Sequence, residues 1–203
     1  MTIGGRKRTG RRPGVTESRD TILGVAQRMF AEGGFDGASV RSIAKAAGVD
    51  AALVHHFFAS KEGLFTACMR DAMRPELLLG PVLDGGVEGL GERLVRAFLR
   101  LWEEEPTRAK LLSILRSAVS HPASARTVRG FIAREVLGRV AEMAGGRRPD
   151  VRAGLVGSQL VGLALTRYVL EIQPLASLDR EVVVGTVGVT VQRYLTEELP
   201  VVA

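Results

Sequence analysis

The sequence predicts an all-α fold, with a three-helix helix-turn-helix head at the N-terminal end and a larger helical body behind it. Three features point there. Apolar residues recur at i, i+3, i+4 spacing along most of the 203 residues, which is the period of one helix face. Ser, Thr or Asp at the starts and Gly at the ends bracket these stretches. Only residues 182–191, VVVGTVGVTV, have the composition of a strand. No second such run offers a pairing partner, so they too are read as helix.

Residues 1–14 are rich in Gly and Arg, lack periodicity and read as a disordered basic arm. The first helix starts near Thr16, carries Ile22, Val25, Ala26, Met29 and Phe30 on one stripe, and stops at Gly33-Gly34. Ser39 caps a second helix to Ala47, with Val40, Ile43 and Ala44 inward, and Gly48 ends it. Asp50 caps a third helix to about Phe57. Ser60 caps a fourth, from Lys61 to about Leu78, with Leu64, Phe65, Cys68 and Met69 inward. A Gly- and Pro-rich loop from Gly80 to Gly89 separates this group from the body. The body continues as helices at about 90–104, 106–119, 122–144, 149–172 and 178–199. Glu103-Glu104-Glu105 reads as a solvated helix end, and Cys68 as inert packing.

Composition excludes several classes. Apolar residues at 46% and charged residues at 25% suit a folded globular chain. One cysteine excludes a disulfide scaffold and a cysteine-rich metal site. The longest uncharged stretch, residues 153–166, is shorter than the roughly 20 residues a spanning helix needs. No apolar run follows the basic start, so no secretory signal is expected, and the placement read from this is cytoplasmic, with no membrane partner. Of the net charge of +6, Arg6, Lys7, Arg8, Arg11 and Arg12 in the arm contribute most, leaving a nearly neutral remainder. A basic tail on a neutral body suits a polyanion, nucleic acid before membrane.

The densest local signal is residues 39–61, two short helices joined by a tight turn at Gly48, a residue that tolerates positive φ. Ile43, Ala44, Val49, Val54 and Phe58 are placed to lock the helices together. Ala51, Ala52, Leu53, His55 and His56 are then turned outward, where a helix fits the major groove of DNA.

Residues 34–65, GFDGASVRSIAKAAGVDAALVHHFFASKEGLF, resemble the DNA-binding signature of the tetracycline-repressor (TetR/AcrR) family. The body segments LLSILRSAVS and SQLVGLALTRYVL resemble the ligand-binding part of the same family. The resemblance implies a division into the arm (1–14), a DNA-binding head (15–62) and a helical ligand-binding and dimerisation domain (63–203). It implies a non-enzymatic homodimer that represses from a palindromic double-stranded operator, needs no cofactor, and is released by a small apolar or amphipathic effector.

By position, Ser39 and Arg41 on the second helix fall at DNA contacts, Arg41 at a base-reading place. Ala51, Ala52, Leu53 and His56 fall at groove-facing places. His55 stands where the family has a phosphate-binding tyrosine, and Lys61 where it has a phosphate-binding lysine. The family often has a basic or polar residue at 51, Gly at 52 and Thr at 53. Their replacement here leaves thymine-methyl contact and Arg41 on a guanine edge as the expected code. In the arm, Arg11 and Arg12 within GRRPG resemble a minor-groove hook. Adjacent helical residues diverge by about 100°, so His55-His56 do not form a chelating pair and no metal is expected.

In the body, the resemblance places a ligand cavity among Phe98, Trp102, Leu115, Arg116, Phe131, Gln159 and Tyr168. Arg116, Gln159 and Arg167 are polar on otherwise apolar helices. They face solvent, pair across a dimer or supply the polar contacts of a pocket, and the sequence leaves these alternatives open. Gly157 and Gly162, with Tyr194 on the last helix, are expected at a four-helix dimer interface. The competing readings are a ligand-independent DNA-binding activator or architectural protein, and a helical enzyme with a vestigial head. The latter lacks any clustered acid–base set, nucleophile elbow or phosphate loop.

Overall fold

The computed structural model describes residues 15–199. The arm, with Arg11 and Arg12, lies outside them. Within the described residues every regular element is a helix. The head comprises α1 (Val15–Gly37), α2 (Val40–Ala47) and α3 (Ala51–Phe58). Helix α1 breaks at non-helical Gly34 (φ 69°), the expected stop of the first helix. Helix α4 (Lys61–Met73) leads from the head into the body. The body adds α5 (Pro75–Leu83), α6 (Leu90–Glu103), α7 (Glu105–Ser120), α8 (Pro122–Phe131), α9 (Leu137–Met143), α10 (Pro149–Ala164) and α11 (Arg180–Thr196). The stretch 182–191 is helical, as expected: Val183, Val184, Val191 and Leu195 share the buried face of α11.

The expected fourth helix is two. It ends at Met73, where Arg74 takes a left-handed conformation (φ 41°) and Pro75 begins α5. Proline at the first position of a helix starts a new one instead of extending the old. The loop expected from Gly80 is correspondingly shorter, because α5 continues through Pro81 to Leu83. Arg93 ties what remains of that loop to α6 by donating to the carbonyls of Val82 (2.9 Å), Glu88 (2.5 Å) and Gly86.

The helix expected over 122–144 contains a π-helical turn at Ile132–Val136, and α10 ends in another at Leu165–Val169. A bidentate ion pair from Arg70 on α4 to Glu135 (2.6 and 3.0 Å) holds the first of these turns. Of the three glutamates expected at a solvated end, Glu104 and Glu105 are exposed. Glu103 is turned inward, where it pairs with Arg180 and accepts from the Tyr168 hydroxyl at 3.4 Å.

The closest helix packing is between α6 and α11. A Cβ on Gly91 would lie 2.3 Å from the Gly188 carbonyl oxygen, and one on Gly188 would lie 2.8 Å from Glu92 Cα. Only glycines permit that crossing. Gln192 uses it: its Oε1 accepts from the otherwise orphaned Gly91 N–H at 2.7 Å, and its Nε2 donates to Val87 O at 2.9 Å. Two buried arginines serve as fasteners. Arg152 donates to Arg147 O (2.8 Å) and Tyr194 O (2.7 Å), which ties the start of α10 to the end of α11. Arg167 donates to Leu175 O (2.6 Å) and Leu178 O (2.8 Å), pinning the 171–179 connection. Each guanidinium exchanges water for carbonyl acceptors, which is how a buried cation is tolerated.

Candidate nucleic-acid interface

The head is fixed by short-range chemistry. Ser39 Oγ accepts from Ser42 N–H at 3.0 Å, and Ser42 Oγ accepts from Ser39 N–H at 2.9 Å, a reciprocal cap on α2. Gly48 takes φ 68°, and its N–H reaches Lys45 O at 3.2 Å to close the turn. Asp50 Oδ1 caps α3 through Ala52 N–H at 2.7 Å, and Ser60 Oγ caps α4 through Gly63 N–H at 3.0 Å. Ile43, Ala44, Val54 and Phe58 are buried between the helices, with Val49 half-buried beside them.

This packing decides which side chains face outward. Ser39, Arg41, Ala52, His55 and His56 are exposed, and Ala51, Leu53 and Lys61 are half-buried. The first turn of α3 is small and apolar (Ala51, Ala52, Leu53), its last turn presents His55 and His56, and the cations Arg41 and Lys45 of α2 are exposed nearby. His55 Nδ1 lies 3.1 Å from Ala59 O. A carbonyl only accepts, so Nδ1 carries the proton there and Nε2 points away from that bond. Lys61 sits in the first turn of α4, with Nζ 4.2 Å above the Phe35 ring and 3.9 Å from Asp36 Oδ1. The positive end of α4 and its caps make this corner suited to a phosphate. Among the described residues no group of three His, Cys, Asp or Glu could hold a metal ion.

The residues expected to line a body cavity separate. Trp102 and Tyr168 stack at 5.6 Å and 11°, and Phe98 leans on Trp102 at 6.1 Å. These three form a packed cluster. Phe131 is core, Leu115 and Gln159 are half-buried, and Arg116 is exposed on α7. Two apolar clefts lie elsewhere. One of about 300 Å³ opens between α1, α4 and α7, and another of about 500 Å³ lies between the α8–α9 segment and α10.

Of the residues expected at a dimer contact, Gly162 is exposed on α10 near exposed Val161. Gly157 faces its own chain, since a Cβ there would lie 3.0 Å from Leu137 Cδ1. Tyr194 packs partly against the core. Sequence reasoning missed Asp36, which pairs with both Lys61 and the distant His121, and the cleft at α1, α4 and α7. No local pattern marks either one.

Comparison with known proteins agrees with this geometry. The model for bacterial regulatory proteins of the tetR family matches residues 22–68, and the model for the tetracyclin repressor-like C-terminal domain matches residues 88–195. The chain is 36% identical over 107 residues to the HTH-type transcriptional repressor AcnR of Corynebacterium efficiens, covering 52% of this chain and 50% of that one. It is 26% identical over 156 residues to the HTH-type transcriptional regulator UidR of Escherichia coli, covering 72% and 77%. The chain spans half or less of the length of the AcnR proteins it matches. A solved TetR-family regulator from Streptomyces coelicolor A3 is 40% identical, with a TM-score of 0.72, covering 92% of this chain and 99% of that one. The multidrug binding protein EbrR, solved with imidazole, shares the fold at a TM-score of 0.60 and 21% identity, covering 99% and 100%.

Proposed function

As this chain belongs to the TetR family of bacterial regulatory proteins, DNA-binding transcription factors and not enzymes, we propose that it is a homodimeric repressor that a small apolar or amphipathic molecule releases from a palindromic operator. The observation that carries this reading is the capped helix pair α2–α3, whose outward face combines Arg41 with the small apolar surface of Ala51, Ala52 and Leu53. That face has the size for a major groove and the chemistry for a guanine edge and thymine methyls.

In this reading Arg41 reads a base, and Ala51, Ala52, Leu53 and His56 contact the groove. Ser39, His55 and Lys61 hold phosphates, and Arg11 and Arg12 reach the minor groove. Two heads meet half-sites about 34–36 Å apart, one helical turn. The protein works where its DNA is, in the cytoplasm. Exposed Val161 on α10 and Val169 and Leu170 in the turn that follows it, with Val182 and Val189 on α11, supply apolar surface for a partner copy. The effector needs only to favour one head spacing by a few kcal/mol.

The test is binding of the full chain to the DNA upstream of its own gene, with a scrambled fragment of equal length as control. A saturable preference for the native fragment is expected. Equal affinity for both fragments would favour the architectural reading.

A further inference from the structure

The cleft between α1, α4 and α7 has an origin that can be traced. Gly24, Gln27, Arg28 and Ala31 occupy one stripe of α1, distinct from the core stripe of Ile22, Val25, Ala26 and Phe30. Gly24 and Ala31 are too short to reach α7, and Ala109 on α7 is too short to reach back. A gap of about 300 Å³ remains, floored by Phe30 and Phe65, which meet edge to face at 5.1 Å, and walled by Ile114. That volume is at the small end of ligand sites, which favour seams between domains.

The polar groups around the gap select the charge of an occupant. Asp71, behind the wall, is already engaged: its Oδ2 accepts from Gln27 Nε2 at 2.6 Å and Lys110 Nζ at 2.7 Å. Cys68 contributes a neutral thiol, because burial, aided by the charge of Asp71, pushes it up to about 12. Arg28 lines the mouth, exposed, and makes no ion pair or hydrogen bond among the described residues. The walls are therefore apolar, no lining residue offers a carboxylate, and the mouth holds an unpaired guanidinium. A cationic ligand would find repulsion there, whereas a carboxylate would find a fork-shaped donor.

We propose that a small amphipathic carboxylate, an apolar chain or ring bearing one acid group, binds in this cleft and shifts the head against the body. The assignment rests on the reading of the chain as an effector-released regulator. It places the effector at the seam instead of at the Phe98–Trp102–Tyr168 cluster. Its walls belong to α1 of the head, to α4 and to α7 of the body, so filling it moves the helices that carry α2 and α3. Binding energy then differs between head positions, as release of DNA requires.

The test uses the full chain with decanoate, decanol and decyltrimethylammonium as calorimetric probes. Decanoate binds once per chain, and the other two bind at least about tenfold more weakly, the value of one charge-assisted bond. Gly24→Leu fills the gap and abolishes binding. It leaves the fold intact, because a Cβ there meets nothing nearer than Arg28 Nη1 at 4.0 Å and leucine is the better helix former. Ala31→Leu is the second plug. Arg28→Gln weakens decanoate about tenfold and leaves decanol unchanged. Gly154→Leu, directed at the groove beside α10, has no effect. Decanoate releases the own-promoter fragment from the wild-type chain and not from Gly24→Leu. Retained binding in both plug variants, equal binding of decanol, or no binding of decanoate overturns the proposal. DNA binding without any probe is measured separately, and its absence counts against the regulator reading while calorimetry still decides the cleft.

Discussion

His121, at the corner between α7 and α8, holds Asp36 of the head with Nδ1 2.7 Å from Oδ2. The other oxygen of the same carboxylate lies 3.9 Å from Lys61 Nζ. A body residue thus shares one acid with the lysine proposed to hold a phosphate. Gly34 turns the chain toward this arrangement: it takes φ 69°, a left-handed conformation that favours glycine, beside the His121 ring. In the proposed reading Asp36 competes with a DNA phosphate for Lys61. Asp36→Asn removes that competition, so affinity for operator DNA rises, by up to about 1 kcal/mol as expected for an exposed pair. Fluorescence anisotropy at fixed salt measures this, and lower affinity would mean that Asp36 positions Lys61 instead of restraining it.

Arg41 and Lys61 differ in what they are proposed to touch, and their substitutions have separable signatures. Arg41→Ala costs about 1–3 kcal/mol and relaxes preference at one position per half-site. Lys61→Ala weakens all sequences alike and lowers the slope of log affinity against log salt. Binding-site selection followed by salt titration distinguishes the two. An unchanged selected motif for Arg41→Ala would move specificity to Leu53, His56 and DNA shape.

His55 donates from Nδ1 to Ala59 O, so in the neutral ring Nε2 carries a lone pair. A phosphate oxygen also only accepts. His55 can therefore hold a phosphate from Nε2 only as the imidazolium. His55→Tyr supplies a hydroxyl donor in place of the ring and keeps operator affinity, whereas His55→Phe supplies none and weakens it, by about 1 kcal/mol for one lost hydrogen bond. Fluorescence anisotropy at fixed pH and salt reads both, and equal affinity for wild type and His55→Phe would remove His55 from the phosphate contacts.

What was legible in the sequence follows from range. Ser39, Gly48, Asp50 and Ser60 act on groups within a few residues, so their caps could be read directly, and the head with them. Pro75 carried the signal for the break after α4, but the apolar run Leu77–Leu79 beyond it looked continuous. Arg167 could be singled out as a polar residue on an apolar helix. Its partners, the carbonyls of Leu175 and Leu178, depend on how the connection folds back. Trp102 and Tyr168 were identifiable as large aromatics of the body, yet whether they line a space or fill it depends on their 5.6 Å stacking. The gap at Gly24 and Ala31 arises from what short side chains fail to reach, which periodicity does not express.

The seam also has a pH signature. Burial pushes the Asp71 acid up, but the hydrogen bonds from Lys110 and Gln27 and the charges of Lys110 and Arg74 outweigh it, leaving its pKa below the ordinary value. A carboxyl depressed on folding contributes stability above its unfolded pKa and loses it as pH falls through the folded one. Asp71→Asn therefore lowers the melting temperature at neutral pH, with a loss on the order of 1 kcal/mol because the pair is partly solvated. The difference from wild type narrows in acid. Melting curves from neutral pH down through the carboxylate range check this, and a gap that widens in acid would contradict it.

The proposed dimer can be separated from the integrity of each chain by comparing two glycines of α10. A Cβ at Gly162 meets nothing within 4 Å in its own chain, whereas one at Gly157 presses on Leu137. Gly162→Leu therefore disturbs only what a partner copy packs there, and Gly157→Leu disturbs α9 first. Overpacking of this kind costs about 1–3 kcal/mol, so Gly162→Leu weakens self-association by about fivefold or more while far-UV helix content stays at the wild-type level. Gly157→Leu instead lowers thermal stability. Light scattering over a dilution series reads the first effect and thermal melting the second. A wild-type chain that is monomeric at micromolar concentration would leave exposed Val161, Val169 and Leu170 without a partner copy to cover them, and would end the two-headed reading of the operator.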